Sequence, residues 1–117
     1  MGQLTTHVLD TAHGGPAAGM QVALWRLGSA APELLQSVTL NADGRAPAPL
    51  LAGAAFTRGR YQLVFQVGAY FKALGVPLPD PPFLDEVTLA FGIADAASHY
   101  HVPLLVSPWS HATYRGS

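Results

Sequence analysis

The sequence contains no cysteine and few charged residues. Without cysteine, disulfides, thiolate nucleophiles, cysteine-type zinc sites and iron–sulfur clusters are excluded. Charged residues make up 11% of the chain, against about 25% in average soluble proteins. Hydrophobic residues make up 50% of the chain. Because so little charge is available to cover the surface, we expect other subunits to cover part of it.

Basic residues are also few, and they are scattered along the chain. There are six lysines and arginines, the formal net charge is −1, and no basic stripe is present that would neutralise phosphates. The first residues lack the basic region and apolar run of a signal peptide, and no apolar run approaches the roughly 18 residues that span a bilayer. We therefore expect a cytoplasmic protein that binds neither nucleic acid nor membranes.

Apolar residues recur mainly with period two, which is typical of β-strands. The alternation is clearest in residues 20–25, 61–67, 86–93 and 100–107. Turn signals such as Asp43-Gly44 separate these segments. Residues 68–75 predict one short helix that ends at Gly75, and the proline-rich residues 76–82 predict an extended connection, since proline lacks the backbone N–H. The pattern indicates an all-β sandwich, and 117 residues suit one domain.

Five histidines are the first candidates for chemistry, because imidazole titrates near neutral pH. They are His7, His13, His99, His101 and His111. His7 lies in a strand-like segment, where a polar residue that simply faces solvent is the ordinary expectation. His99 and His101 are one residue apart, so on a strand they share a face. This pair has two interpretations: a zinc site completed by a third histidine, or an acid–base site at a subunit interface.

Arg45 and the last residues of the sequence are further candidates. Arg45 follows the Asp43-Gly44 turn, where it is either a solvated turn residue or a rigidly placed guanidinium for a planar, carbonyl-rich ligand. Residues 114–117 follow a strand-like segment, and their Tyr-Arg-Gly-Ser sequence is unusual for a frayed tail. Nucleophile-elbow, phosphate-loop and dinucleotide motifs are absent from the sequence. Chemistry would therefore depend on the histidines, Arg45 and the terminal residues.

Taken together, these segments resemble the 5-hydroxyisourate hydrolases, also called transthyretin-like proteins. The segments that carry the resemblance are residues 4–10 with 15–19, residues 41–45, residues 99–108 and residues 114–117. It spans essentially the whole chain, and Tyr-Arg-Gly-Ser is its most specific element. The resemblance implies one domain over residues 1–117, a transthyretin-like β-sandwich of two four-stranded sheets with one short helix. It also implies a homotetramer, built as a dimer of dimers, with active sites in a channel between dimers.

The resemblance further implies that the chain hydrolyses 5-hydroxyisourate to 2-oxo-4-hydroxy-4-carboxy-5-ureidoimidazoline, in the degradation of urate to allantoin. The implied reaction needs no metal and no other cofactor. The family's catalytic residues fall on His7, Arg45, His101 and Ser117. Substrate-binding roles fall on His7, Arg45 and Tyr114, while Arg115 is either catalytic or structural. His13, His99 and His111 receive no role from the resemblance.

Two other functions remain open at this point. A transthyretin-like small-molecule carrier would share the fold without the chemistry, but the His–Arg–His set and the Tyr-Arg-Gly-Ser ending favour the enzyme. A purely structural sandwich module would need tandem domains or a linker, and the sequence shows neither.

Overall fold

Nine β-strands and one short α-helix make up the structure, a computed structural model that describes residues 2–117. The strands are β1 (Gln3–Asp10), β2 (Gly15–Pro16), β3 (Gln21–Leu27), β4 (Glu33–Thr39), β5 (Leu51–Ala52), β6 (Gly59–Gln66), β7 (Glu86–Ile93), β8 (Tyr100–Val106) and β9 (His111–Thr113). The helix α1 covers Val67–Ala73, and a single 3₁₀ turn covers Gly53–Ala55.

These strands form two sheets that pack face to face. One sheet has the order β4-β3-β6-β7 and is antiparallel throughout. The other has the order β2-β1-β8-β9, and the two-residue strand β5 adds to it by pairing with β1. Within this second sheet β1 and β8 run parallel. The predicted two-sheet sandwich with one short helix is therefore confirmed, and β5 is an addition to one of its four-stranded sheets.

The core lies between the sheets and follows the period-two pattern. Along β1 half-buried and buried residues alternate without interruption. Leu4 and Val8 of β1, Leu63 of β6 and Leu104 of β8 are fully buried. Complete burial of such a side chain contributes about 1.5–3 kcal/mol. Because one face of β1 and β8 is committed to this core, the other face is free to carry polar groups.

The helix and three strands differ in detail from the prediction. The helix ends at Ala73 rather than at Gly75, since Gly75 has a φ of +78°, in the left-handed region that follows many helices. Residues 76–82 contain no helix or strand, as predicted for a proline-rich connection. Strands β2 and β5 were not predicted because two residues are too few to show alternation. Strand β4 was not predicted because its residues are exposed or half-buried on both faces and show no clear alternation. No helix in residues 2–117 has the length and apolar character to cross a bilayer.

Candidate active site

The predicted histidines lie on the outer face of the parallel β1–β8 pair. In this pair Thr5 stands opposite His101, and His7 stands opposite Pro103. Their neighbours along each strand point into the core, whereas Thr5, His7 and His101 are half-buried. Because side chains alternate across a strand, this register places His7 and His101 on one face although 94 positions separate them in the sequence.

A tight turn holds Arg45 beside His7. The side-chain oxygen of Asn41 accepts hydrogen bonds from the backbone N–H groups of Asp43 and Arg45. Gly44 has a φ of +72°, and its carbonyl accepts the Val8 N–H at 2.9 Å. A Cβ at residue 44 would lie 2.5 Å from the Val8 carbonyl oxygen, so only glycine fits this approach. The backbone of Arg45 pairs with that of His7 in an isolated β-bridge, so the Arg45 side chain starts from a fixed position beside His7.

The last residues continue β9 along β8 rather than fraying. The Gly116 N–H donates to the His101 carbonyl at 2.7 Å, and the His101 N–H donates to the Gly116 carbonyl at 3.2 Å. The guanidinium of Arg115 donates to the His99 carbonyl at 2.7 Å and lies 4.3 Å from the centre of the Tyr100 ring. Both contacts attach the tail to the start of β8.

One shallow cavity of about 310 Å³ collects most of the predicted residues. It is lined by Gln3, Thr5, Arg45, His99, His101 and Ser117. His7 is next to this cavity, on the same strand face as Thr5 and paired with Arg45. Tyr114 is 61% exposed and lines a separate cleft, so the chain alone does not bring its ring to the cavity.

The environment of His101 favours its neutral form. Burial lowers the pKa of His101 below its ordinary value of 6.5, and the nearby charges of Arg45 and His7 lower it further, while a contact with the Thr5 backbone acts in the opposite direction. The Thr5 hydroxyl oxygen lies 2.8 Å from Nδ1 of this imidazole. A ring that is neutral at pH 7 and engaged at one nitrogen offers its other nitrogen to a ligand or a water molecule.

Sequence reasoning missed three of the cavity residues. Gln3 and Thr5 alternate with core residues on the strand that carries His7, and this spacing was the available signal. His99, to which no role was given, also lines the cavity. The zinc interpretation requires three ligands, and residues 2–117 contain no group of three or more histidines or acidic residues placed to hold a metal ion.

The chain matches the HIUase/Transthyretin family over residues 4–116. It is 59% identical to "5-hydroxyisourate hydrolase 2" of Rhizobium meliloti (strain 1021), over 99% of this chain and 97% of that protein. The crystal structure of an (S)-allantoin synthase superposes with a TM-score of 0.95 at 48% identity, over 99% of this chain but only 44% of that one.

A Klebsiella pneumoniae 5-hydroxyisourate hydrolase superposes with a TM-score of 0.82 at 36% identity, over 100% of both chains. Fold and sequence therefore agree with the resemblance over nearly the whole length of the molecule. This protein belongs to the HIUase/transthyretin family.

Proposed function

We propose that this protein hydrolyses 5-hydroxyisourate, the unstable product of urate oxidation. The product is 2-oxo-4-hydroxy-4-carboxy-5-ureidoimidazoline, on the route from urate to allantoin. The observation that carries this proposal is the meeting of Arg45, His101 and Ser117 in one cavity beside His7. Opening a polar ring at a carbonyl requires a base for the water and a cation for the developing negative charge, and this face supplies both.

His101 is the proposed general base. Its lowered pKa leaves the imidazole neutral at pH 7, so that it can take a proton from the water that attacks the ring carbonyl. His101 lines the cavity, whereas His7 lies at its side. His7 is proposed to bind substrate beside His101, on the same face of the β1–β8 pair.

Arg45 and Ser117 are proposed to act on the substrate oxygens. The guanidinium of Arg45 is planar and always charged, so it can both orient a carbonyl-rich ring and stabilise the oxyanion. The hydroxyl of Ser117 can donate to the substrate and accept from the water. These groups supply the proposed chemistry without a metal or another cofactor. The substrate-binding role of Tyr114, which lies outside the cavity lining, stays a prediction.

We also propose assembly into a homotetramer, as a dimer of dimers, and a cytoplasmic location. Strands β7 and β9 each form one edge of a sheet, and both border one cleft of about 460 Å³. Open edges of this kind can pair with a second copy. Phe83 and Trp109 are 67% and 61% exposed and stack with ring centres 5.9 Å apart. Such an aromatic pair on the surface favours burial by another subunit. The absence of cysteine is compatible with a reducing cytoplasm.

The deciding experiment is a turnover assay with freshly generated 5-hydroxyisourate. We expect its decay to accelerate in proportion to the protein concentration and to be unchanged by a chelator. A carrier would bind the compound without exceeding the spontaneous decay rate. Activity that a chelator removes and zinc restores would support the metal interpretation instead. Sedimentation at micromolar concentration tests the assembly, and a stable monomer would contradict the tetramer.

A further inference from the structure

The side chain of Thr5 contacts the proposed base, His101. Its hydroxyl oxygen lies 2.8 Å from Nδ1 of His101, and among residues 2–117 it has no other side-chain hydrogen bond. The next residue, Thr6, provides a contrast, because its hydroxyl is buried and donates to the Val102 carbonyl at 2.8 Å. Thr6 thus satisfies a core backbone group, whereas Thr5 is directed at an imidazole on the face of the cavity.

Gly116 confines the same imidazole from the other side. Strand β8 lies between β1 and the continuation of β9, so His101 has Thr5 on one flank and Gly116 on the other. A Cβ at residue 116 would lie 3.1 Å from both Cβ and Cδ2 of His101, so the ring lies against the glycine backbone. Neighbours on both flanks therefore restrict the position of the ring.

We propose that Thr5 is a positioning residue: its hydroxyl accepts the Nδ1–H of His101 and so holds the tautomer whose Nε2 lone pair is free for the attacking water. A neutral imidazole has one N–H and one lone pair, and the partner of one nitrogen decides which nitrogen keeps the proton. This inference rests on the proposed function, because it concerns how the proposed base is oriented.

The charges around His101 favour a neutral ring, and residue 5 faces that ring with its backbone as well as its hydroxyl. The backbone contact raises the pKa of His101, as an acceptor for a ring N–H does, and the hydroxyl contact at Nδ1 is separate from it. The other ionisable or polar groups around the ring are Gln3 and His7 on β1, Arg45 in the turn after β4, His99 before β8, and Ser117 at the end of the tail. The positive charge of Arg45 disfavours the imidazolium, so the ring is neutral, and the partner at Nδ1 then decides which tautomer it adopts.

The kinetic test compares two substitutions of Thr5. Thr5→Val keeps the shape but removes the hydroxyl, and we expect kcat to fall about 10–100-fold, as when a partner that orients an imidazole is lost. Thr5→Ser keeps the hydroxyl and should retain most of the activity, with KM little changed in both variants. Thr39→Val is the matched control, because Thr39 is an exposed threonine of the other sheet. Equal losses in Thr5→Val and Thr5→Ser, or none in Thr5→Val, would overturn the proposal.

A second measurement observes the imidazole without substrate. Nitrogen-15 NMR of the histidine rings, with His101 assigned by its loss in His101→Asn, should show Nδ1 protonated and Nε2 unprotonated in the wild type. In Thr5→Val the ring should exchange between both tautomers, and an unchanged tautomer would refute the positioning role. If the wild type fails to accelerate the decay of 5-hydroxyisourate, the proposed function fails, and the tautomer comparison alone decides the role of Thr5.

Discussion

The two faces of β1 carry polar groups of different kinds. On the inner face Asp10 is 1% exposed and accepts four hydrogen bonds, from the N–H groups of Ala12 and His13 at 2.9 Å, from the Tyr70 hydroxyl at 2.8 Å and from the His13 ring at 2.6 Å. On the outer face Thr5 and His7 are half-buried beside an open cavity. A buried polar group must be satisfied within the fold, whereas an outer one can remain available to a ligand.

The pKa shifts on the two faces favour different states: an ionised carboxylate on the inner face and a neutral imidazole on the outer face. Burial acts to raise the pKa of Asp10, but hydrogen bonds from the His13 backbone, Tyr70 and the His13 ring outweigh it and lower the pKa. Burial and the bond to Asp10 raise the pKa of Tyr70. At neutral pH this ionised carboxylate therefore ties α1 to the end of β1. Burial of His101 instead yields a neutral base, so one face contributes stability and the other chemistry.

Removal of a polar group from the outer face should have the largest effect. His7→Ala and His101→Ala should lose about 10²–10⁴-fold in kcat/KM, the range for a positioned acid–base group. Arg45→Ala should lose roughly 10²–10³-fold, as for a donor that stabilises an oxyanion. The Tm should stay within a few degrees, and Arg58→Ala, at an exposed arginine, is the control. Near-wild-type kcat/KM in all three variants would show that this face is not the active site.

Removal of the buried carboxylate on the inner face should lower the stability of the fold instead of the activity. Asp10→Ala leaves the Tyr70 hydroxyl and two backbone N–H groups without their acceptor, and we expect the free energy of unfolding to fall by about 3 kcal/mol. Urea denaturation measures this loss, and Glu33→Ala, a change at an exposed residue, is the control. The molecules that remain folded should keep their kcat. Lost turnover at unchanged stability would contradict the division between the two faces.

A smaller change, the addition of one methyl group to the tail, tests how closely the tail packs against His101. In Gly116→Ala the new methyl group would lie 3.1 Å from His101, so the imidazole must shift by a few tenths of an ångström. We expect roughly a tenfold loss of kcat with the fold intact, because catalysis is sensitive to small misplacements. Gly28→Ala is the matched control, since a Cβ there meets nothing within 4 Å. Full activity in Gly116→Ala would mean that the tail does not position the ring.

The smallest expected effect is in the pH dependence. Because the pKa of His101 is lowered from 6.5 in the folded protein, kcat/KM should hold below pH 6.5 and then fall as pH drops through the folded pKa. The stability that this lowered pKa contributes is present above pH 6.5 and is lost as the pH falls from 6.5 through the folded pKa. In Arg45→Gln, NMR titration should show the pKa of His101 rising toward 6.5, since a nearby cation is gone. A downward shift would contradict the electrostatic account.

Local sequence patterns predicted most of the strands and the sheet face on which their residues lie. Alternation in residues 61–67 and 86–93 predicted the paired strands β6 and β7 of one sheet, and Asp43-Gly44 predicted the turn that holds Arg45. The pattern failed at β4, where both faces are partly wet and no alternation survives. The resemblance supplied the family and the site residues, because the spacing of the histidines alone is only a weak signal and did not decide between zinc binding and acid–base chemistry.

The sequence by itself determined which side chains lie on one face of each strand, because the period of two is a local property of the backbone. Only the tertiary structure decided which faces meet. Thr5 and His101 are 96 residues apart, and the parallel register of β1 and β8 makes them neighbours. Gly116 reaches the same ring through pairing of the tail with β8. Strand register depends on hydrogen bonds and core packing between distant segments, which no local pattern contains.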